Sequence, residues 1–153
     1  MTAKPQGFTL IEMVIILGMM TLLTLVTGVL FSSTLGRNQT ENVTKDLVSN
    51  LRRAQWQTMN GHENVVWSVH VESDRFVLFQ GTSYVDGAPT NLETNLPNDI
   101  GITTVTLNGG GVNVLFDSDY GESTTHGSIV IDNQHSEETR TVTINAVGMI
   151  DAN

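Results

Sequence analysis

The chain has 153 residues, enough for one folded domain beyond an N-terminal segment. It has no cysteine, which excludes a disulfide framework and any cysteine-ligated metal. Its formal net charge is -9, and only Arg75 and Arg140 are basic beyond residue 60. Nucleic-acid binding needs clustered cations to displace counterions, so the C-terminal part disfavours it. The acidity reads as a solubility device.

The first third dominates the pattern. A short polar leader, Met1 to Gly7, carries Lys4 as its only charge. Gly7-Phe8-Thr9-Leu10-Ile11-Glu12 follows, and after Glu12 no charge appears until Arg37. A helical bilayer span needs about 20 apolar residues for a core of about 30 Å, and this run is long enough. It is too long for the apolar region of a secretory signal, and no small-residue cleavage site follows it. Glu12 stands at its entrance, where a carboxylate is costly unless it snorkels, pairs or is protonated.

Beyond the apolar run the pattern becomes amphipathic. Val43, Leu47, Leu51, Ala54 and Thr58 recur at spacings of three and four, and polar residues fill the other faces. Residues 8 to about 60 therefore predict one helix, about 75 Å long at about 1.5 Å per residue. Gly18, Gly28 and Gly36 weaken it locally but permit close helix packing in a membrane. Asn60-Gly61 predicts the stop, with Gly61 as a left-handed cap.

The stretch GFTLIEMVIILGMMTLL resembles the start of type IV pilins and type II secretion pseudopilins. The resemblance implies a prepilin leader, Met1 to Gly7, cut by a prepilin peptidase after Gly7. It implies that Phe8 becomes an N-methylated N-terminus, and that Glu12, as the fifth mature residue, meets the Phe8 amine of a neighbouring subunit during filament assembly. Many type IV pilins carry a helix-bending proline in this segment. Here the only prolines are Pro5, Pro89 and Pro97.

From Asn64 the period switches to two. Val65, Trp67, Val69 and Val71 should face a core, and Val66, Ser68, His70 and Glu72 solvent. Ser73-Asp74 is a turn, with 75–80 the returning strand. Residues 81–99 read as a long loop, of the kind that carries function or an irregular edge. Further strands are predicted at 100–107, 112–116, 128–132 and 140–146, separated by Asn108 to Gly111, a polar loop at 117–126 and a turn at 133–138. Trp67 is expected in the core; Trp56 lies off the main stripe, toward a seam or a partner surface.

The order VLF, an Asp- and Gly-containing loop, GSIVI and TVTINAVG is similar to the C-terminal part of GspH/FimT-type minor pseudopilins, as is the helix end LRRAQWQTMNGH. Some FimT-type proteins bind DNA through basic C-terminal residues. The tail Val147 to Asn153 has no Lys or Arg, so that role does not carry over.

No catalytic constellation is present. Gly109 to Gly111 lacks the Lys-Ser/Thr of a phosphate loop, and strand rather than helix follows. His62, His70, His126 and His135 lie in separate segments without ligand spacing and read as surface histidines. Asp117, Asp119, Gly121 and Glu122 resemble part of a calcium loop, but the full spacing is missing and a solvated hairpin loop is the simpler reading.

The expectation is an α+β, pilin-like chain: leader 1–7, membrane and filament-core helix 8–35, amphipathic continuation 36–61, and a β-rich head 62–153 packed as an antiparallel sheet on the helix stripe. The resemblance implies a non-enzymatic minor pseudopilin without cofactors or metals. Its implied partners are other subunits, the prepilin peptidase, an inner-membrane assembly platform with an external ATPase, and the membrane itself. It implies a single-pass inner-membrane protein, with its head outside the cytoplasm, that then joins an extracytoplasmic filament. The alternatives are a type IV pilus or competence subunit in DNA uptake, and an uncleaved signal-anchored binding domain.

Overall fold

A computed structural model describes residues 7–61, 65–117, 119–136 and 138–153, without the side chains of residues 25–37. Most of the expected leader, Gly28, Gly36 and His62 therefore lie outside the described residues or side chains. The chain divides into two compact units, Met1–Leu35 and Gly36–Asn153.

Helix α1 (Leu10–Asn60) begins in the first unit and ends in the second. Thr9 caps its start. The Glu12 amide donates to Thr9 Oγ1 at 3.3 Å and to the Thr9 carbonyl at 3.1 Å. This places Thr9 at N-cap and Glu12 at N3, the Thr-x-x-Glu pattern of a helix start. Among the described residues no helix is long and apolar enough to cross a membrane. The apolar run of the sequence continues into residues 25–37, whose side chains are outside that set.

The predicted stripe is the buried face of the second unit. Val43, Leu47, Leu51, Ala54 and Thr58 are all buried, joined by Thr40 and Thr44. The helix ends where expected, but Gly61 is not a left-handed cap: it is not among the glycines of positive φ. It is needed for space, because a Cβ there would lie 2.8 Å from the Gln57 carbonyl and 3.2 Å from that of Val65.

Among the described residues eight strands follow: β1 (Trp67–Val71), β2 (Arg75–Gln80), β3 (Leu92–Asn95), β4 (Ile100–Leu107), β5 (Asn113–Leu115), β6 (Gly127–Asn133), β7 (Thr139–Ile144) and β8 (Ile150–Ala152). They form two antiparallel four-stranded sheets, ordered β3-β2-β1-β5 and β4-β6-β7-β8, where one sheet was expected. The chain switches sheets at each step from β3 to β6, so consecutive strands do not simply pair. The β1–β2 turn reaches the second sheet, where the Ile102 amide donates to the Ser73 carbonyl at 2.9 Å. The two unpredicted strands, β3 and β8, are short edges whose sequences, LETN and IDA, carry no apolar alternation.

Both sheets and the helix stripe share one core. Val69, Val71, Phe76, Leu78 and Val114 come from the first sheet; Ile100, Ile102, Ile129, Ile131, Val142, Ile144 and Ile150 come from the second. Trp67 is half-buried against this cluster, whereas Trp56 is exposed. Polar links also tie the helix to the sheets, among them the Thr58 hydroxyl, which accepts from the Trp67 amide at 2.8 Å. Asn133 Nδ2 donates to Thr40 Oγ1 at 3.3 Å within the core. Gln55 Nε2 donates to the Gly121 carbonyl at 2.7 Å and to that of Gly148 at 2.8 Å. Gly148 must be glycine: its φ is +80°, and a Cβ would sit 2.0 Å from the Gly121 oxygen.

Leu47 is fully buried at the centre of the stripe. Leu47→Ala is expected to lower the head's unfolding free energy by about 2–5 kcal/mol. Urea denaturation measures this; a loss no larger than that of the exposed Arg53→Ala would refute the stripe as the organising face.

Candidate functional site

The sequence singles out Gly7, Phe8 and Glu12. All three are exposed, and a Cβ at Gly7 would meet nothing within 4 Å. An open, unpacked Gly7-Phe8 bond suits access by another protein. Phe8 is 72% exposed, and the apolar side chains from Leu10 to Leu23 are exposed on every face. A helix apolar all round has the pattern of a buried helix.

The polar side chains along that stretch do not ask for outside partners. Thr21 Oγ1 donates to the Leu17 and Gly18 carbonyls at 2.8 and 2.9 Å. Thr24 Oγ1 donates to those of Met20 and Thr21 at 3.1 and 2.9 Å. Such back-bonding satisfies the hydroxyls within the helix, as a hydrocarbon surrounding requires. Glu12 is the exception: among the described residues its carboxylate has no partner. Its place in the first turn suits the positive end of the helix dipole. The sequence reading missed this capping role of Thr9 and Glu12, although the Thr-x-x-Glu spacing was visible.

The head carries a second polar constellation, which the sequence reading also missed. It lies on the outer face of the first sheet, away from α1. Cross-strand register puts His70 opposite both Val77 and Asn113, and Glu93 opposite Val77. Arg75 forks onto Glu72, with Nε to Oε2 at 2.7 Å and Nη2 to Oε1 at 3.3 Å. Its remaining donors reach Asp86 and Glu93, each at 3.4 Å. His70 Nδ1 lies 2.6 Å from Asn113 Oδ1, and Nε2 lies 3.2 Å from Glu72 Oε1. Tyr84 stacks on His70 with ring centroids 3.9 Å apart, meets Phe79 edge-on at 5.6 Å, and donates to Asp86 at 2.9 Å.

Segment 81–91 is thus folded back on the sheet, and this explains a departure from the alternation rule. Ser68, expected in solvent, is fully buried, as are Val77 and Phe79 on the same face. Ser68 Oγ donates to the Gly81 carbonyl at 2.7 Å, and the Gly81 amide donates to that of Val66 at 2.7 Å. His70 is half-buried and bonded rather than a bare surface histidine. The available signal was the pair His70 and Glu72 on one strand face, with Arg75 just across a two-residue turn.

The other sequence candidates sit in turns and loops. Gly109, Gly110 and Gly111 all have positive φ and form a turn. Asp117 Oδ1 accepts the Asp119 amide at 2.8 Å, so that carboxylate serves its own loop. Among the described residues no three His, Asp or Glu side chains are grouped to hold a metal.

The Arg75 fork holds the Glu72 carboxyl below its ordinary range, against burial, which opposes it; the bond to His70 adds to the lowering. Glu72 in turn raises the Arg75 guanidinium further above its usual value. Burial first, then the bond to Asp86, pushes the Tyr84 hydroxyl up. A carboxylate lowered in the folded state contributes stability that is complete above the ordinary carboxylate range and lost as pH falls through the lowered value. Glu72→Gln is therefore expected to reduce the loss of stability between pH 7 and about pH 3, read as urea midpoints. An unchanged pH dependence in the variant would show that the fork contributes nothing.

No curated protein and no solved structure matches the chain. A family model described as type II transport protein GspH matches residues 37–148, from the start of the head's helix stripe to the Gly148 turn. With most of the folded head inside that match, the chain belongs to the GspH family, the structural pseudopilins of type II secretion.

Proposed function

We propose that the chain is a minor pseudopilin, made as a prepilin and built into a filament through its N-terminal helix. Its leader is cut after Gly7, and Phe8 becomes the methylated N-terminus. Residues 8 to about 35 cross the inner membrane once, with the head outside the cytoplasm, and later pack against the helices of other pseudopilins. The observation that carries this reading is the conjunction of a GspH head over residues 37–148 with Gly7-Phe8 and Glu12 ahead of an uncharged run.

The chemistry gives Glu12 its role. An unpaired carboxylate in the hydrocarbon costs about 2.5–3.5 kcal/mol on insertion scales. Cleavage creates a new cation, the Phe8 amine. Pairing Glu12 of an incoming subunit with that amine on a neighbour removes the penalty and sets the axial register. The self-satisfied Thr21 and Thr24 hydroxyls support the reading, since they let this stretch sit in lipid or among other apolar helices. The external ATPase of the assembly platform supplies the work.

Intact mass of the protein from its own membranes tests processing. The expected mass lacks residues 1–7 and carries one added methyl group. A full-length mass would instead mean a signal-anchored domain and would remove the Phe8 amine from the scheme. Glu12→Ala should leave cleavage intact and sharply reduce incorporation into filaments; normal incorporation with the variant as sole copy would overturn the pairing.

A further inference from the structure

The outer-face constellation has a feature that its structural role does not require. Both ring nitrogens of His70 face oxygen acceptors, Asn113 Oδ1 at 2.6 Å and Glu72 Oε1 at 3.2 Å. An acceptor oxygen needs an N–H. A neutral imidazole has one N–H and makes one of these bonds; the doubly protonated ring makes both. The charged ring also offers a cation to the face of Tyr84, stacked at 3.9 Å and 8° between planes.

We propose that His70 is a proton-operated catch for the strap formed by residues 81–91. With two N–H groups it ties β1 to Asn113 of β5 and to Glu72, and it holds the Tyr84 ring flat against the sheet. Loss of one proton breaks one bond and removes the cation from under Tyr84. The strap then loosens, and Phe79, which Tyr84 covers edge-on, becomes open to another surface.

Glu72, just beyond β1, bonds the ring directly, and Arg75 of β2 links Glu72 to Asp86 of the strap and Glu93 of β3. Asn113 and Tyr84 are the other groups in contact with the ring. Imidazoles change charge between about pH 5 and 8, while these carboxylates stay ionised over most of that span. Beyond the Gly81 bonds to Ser68 and Val66 and the Arg75–Asp86 pair, the strap is held by bonds within itself. Its inner bonds are Ala88 N to Val85 O at 3.4 Å, Asn91 N to Ala88 O at 3.0 Å and Asn91 Nδ2 to Val85 O at 2.9 Å.

The test uses the full chain in detergent with its histidines labelled with nitrogen-15. Long-range proton–nitrogen spectra read both ring nitrogens of His70 as pH is raised from about 5 to 8.5. Amide exchange at Gly81 and Asn91, corrected for the intrinsic base-catalysed rate, reads the strap. The expected result is two ring N–H groups when the strap is closed, and protection that falls about three- to tenfold as one is lost. His70→Gln should remove that pH dependence. Asn113→Asp should move the transition to higher pH, because a carboxylate at that position can only accept. One ring N–H in the closed strap, protection that does not change with pH, a pH dependence that survives His70→Gln, or a transition that Asn113→Asp leaves in place would each overturn the catch.

Discussion

One helical stripe serves two sheets. From Thr40 to Thr58 the buried positions of α1 follow the three-and-four spacing of a helix, and both four-stranded sheets place their apolar faces against it. A helix has a stripe about 100° wide, broader than one flat sheet covers, so a second sheet can be held on its flank. This explains why the two sheets share no hydrogen-bonded ladder and still form one core. The helix substitutes for the ladder that would otherwise have joined them.

The same arrangement explains what the sequence made legible. The stripe was visible because its period depends only on helix geometry. The long interior strands were visible because alternation survives wherever one face is buried, as in β6 with Ile129 and Ile131 inward. The partition into two sheets was hidden, because pairing of β5 with β1 and of β4 with β6 is long-range and leaves no local trace. Strands β3 and β8 were hidden because edge strands carry little apolar pattern. Ser68 misled because alternation assumes a solvated outer face, and here a strap twelve or more residues along the chain covers that face.

Among the candidate residues, legibility divided along the same line. Gly7, Phe8 and Glu12 lie in one short stretch of sequence and stand out by inspection. The outer-face cluster draws on β1, β2, β3, β5 and the strap, and its members acquire meaning only once the sheet sets His70 beside Asn113. The Gln55 clamp is of the same kind. A single side-chain amide gathers the Gly121 and Gly148 carbonyls, and nothing in the helix sequence distinguishes Gln55 from its polar neighbours.

The back-bonded threonines of the N-terminal segment have a consequence for how such helices recognise one another. With Thr21 and Thr24 committed to their own carbonyls, the described surface from Leu10 to Thr24 is chemically uniform apart from one carboxylate. Two uniform apolar rods laid side by side can slide with little change in energy, because each offset exchanges one methyl contact for another. A single charge turns that smooth track into one with a single detent. In the assembly proposed above, sliding would stay cheap until Glu12 meets a cation, and there it would stop.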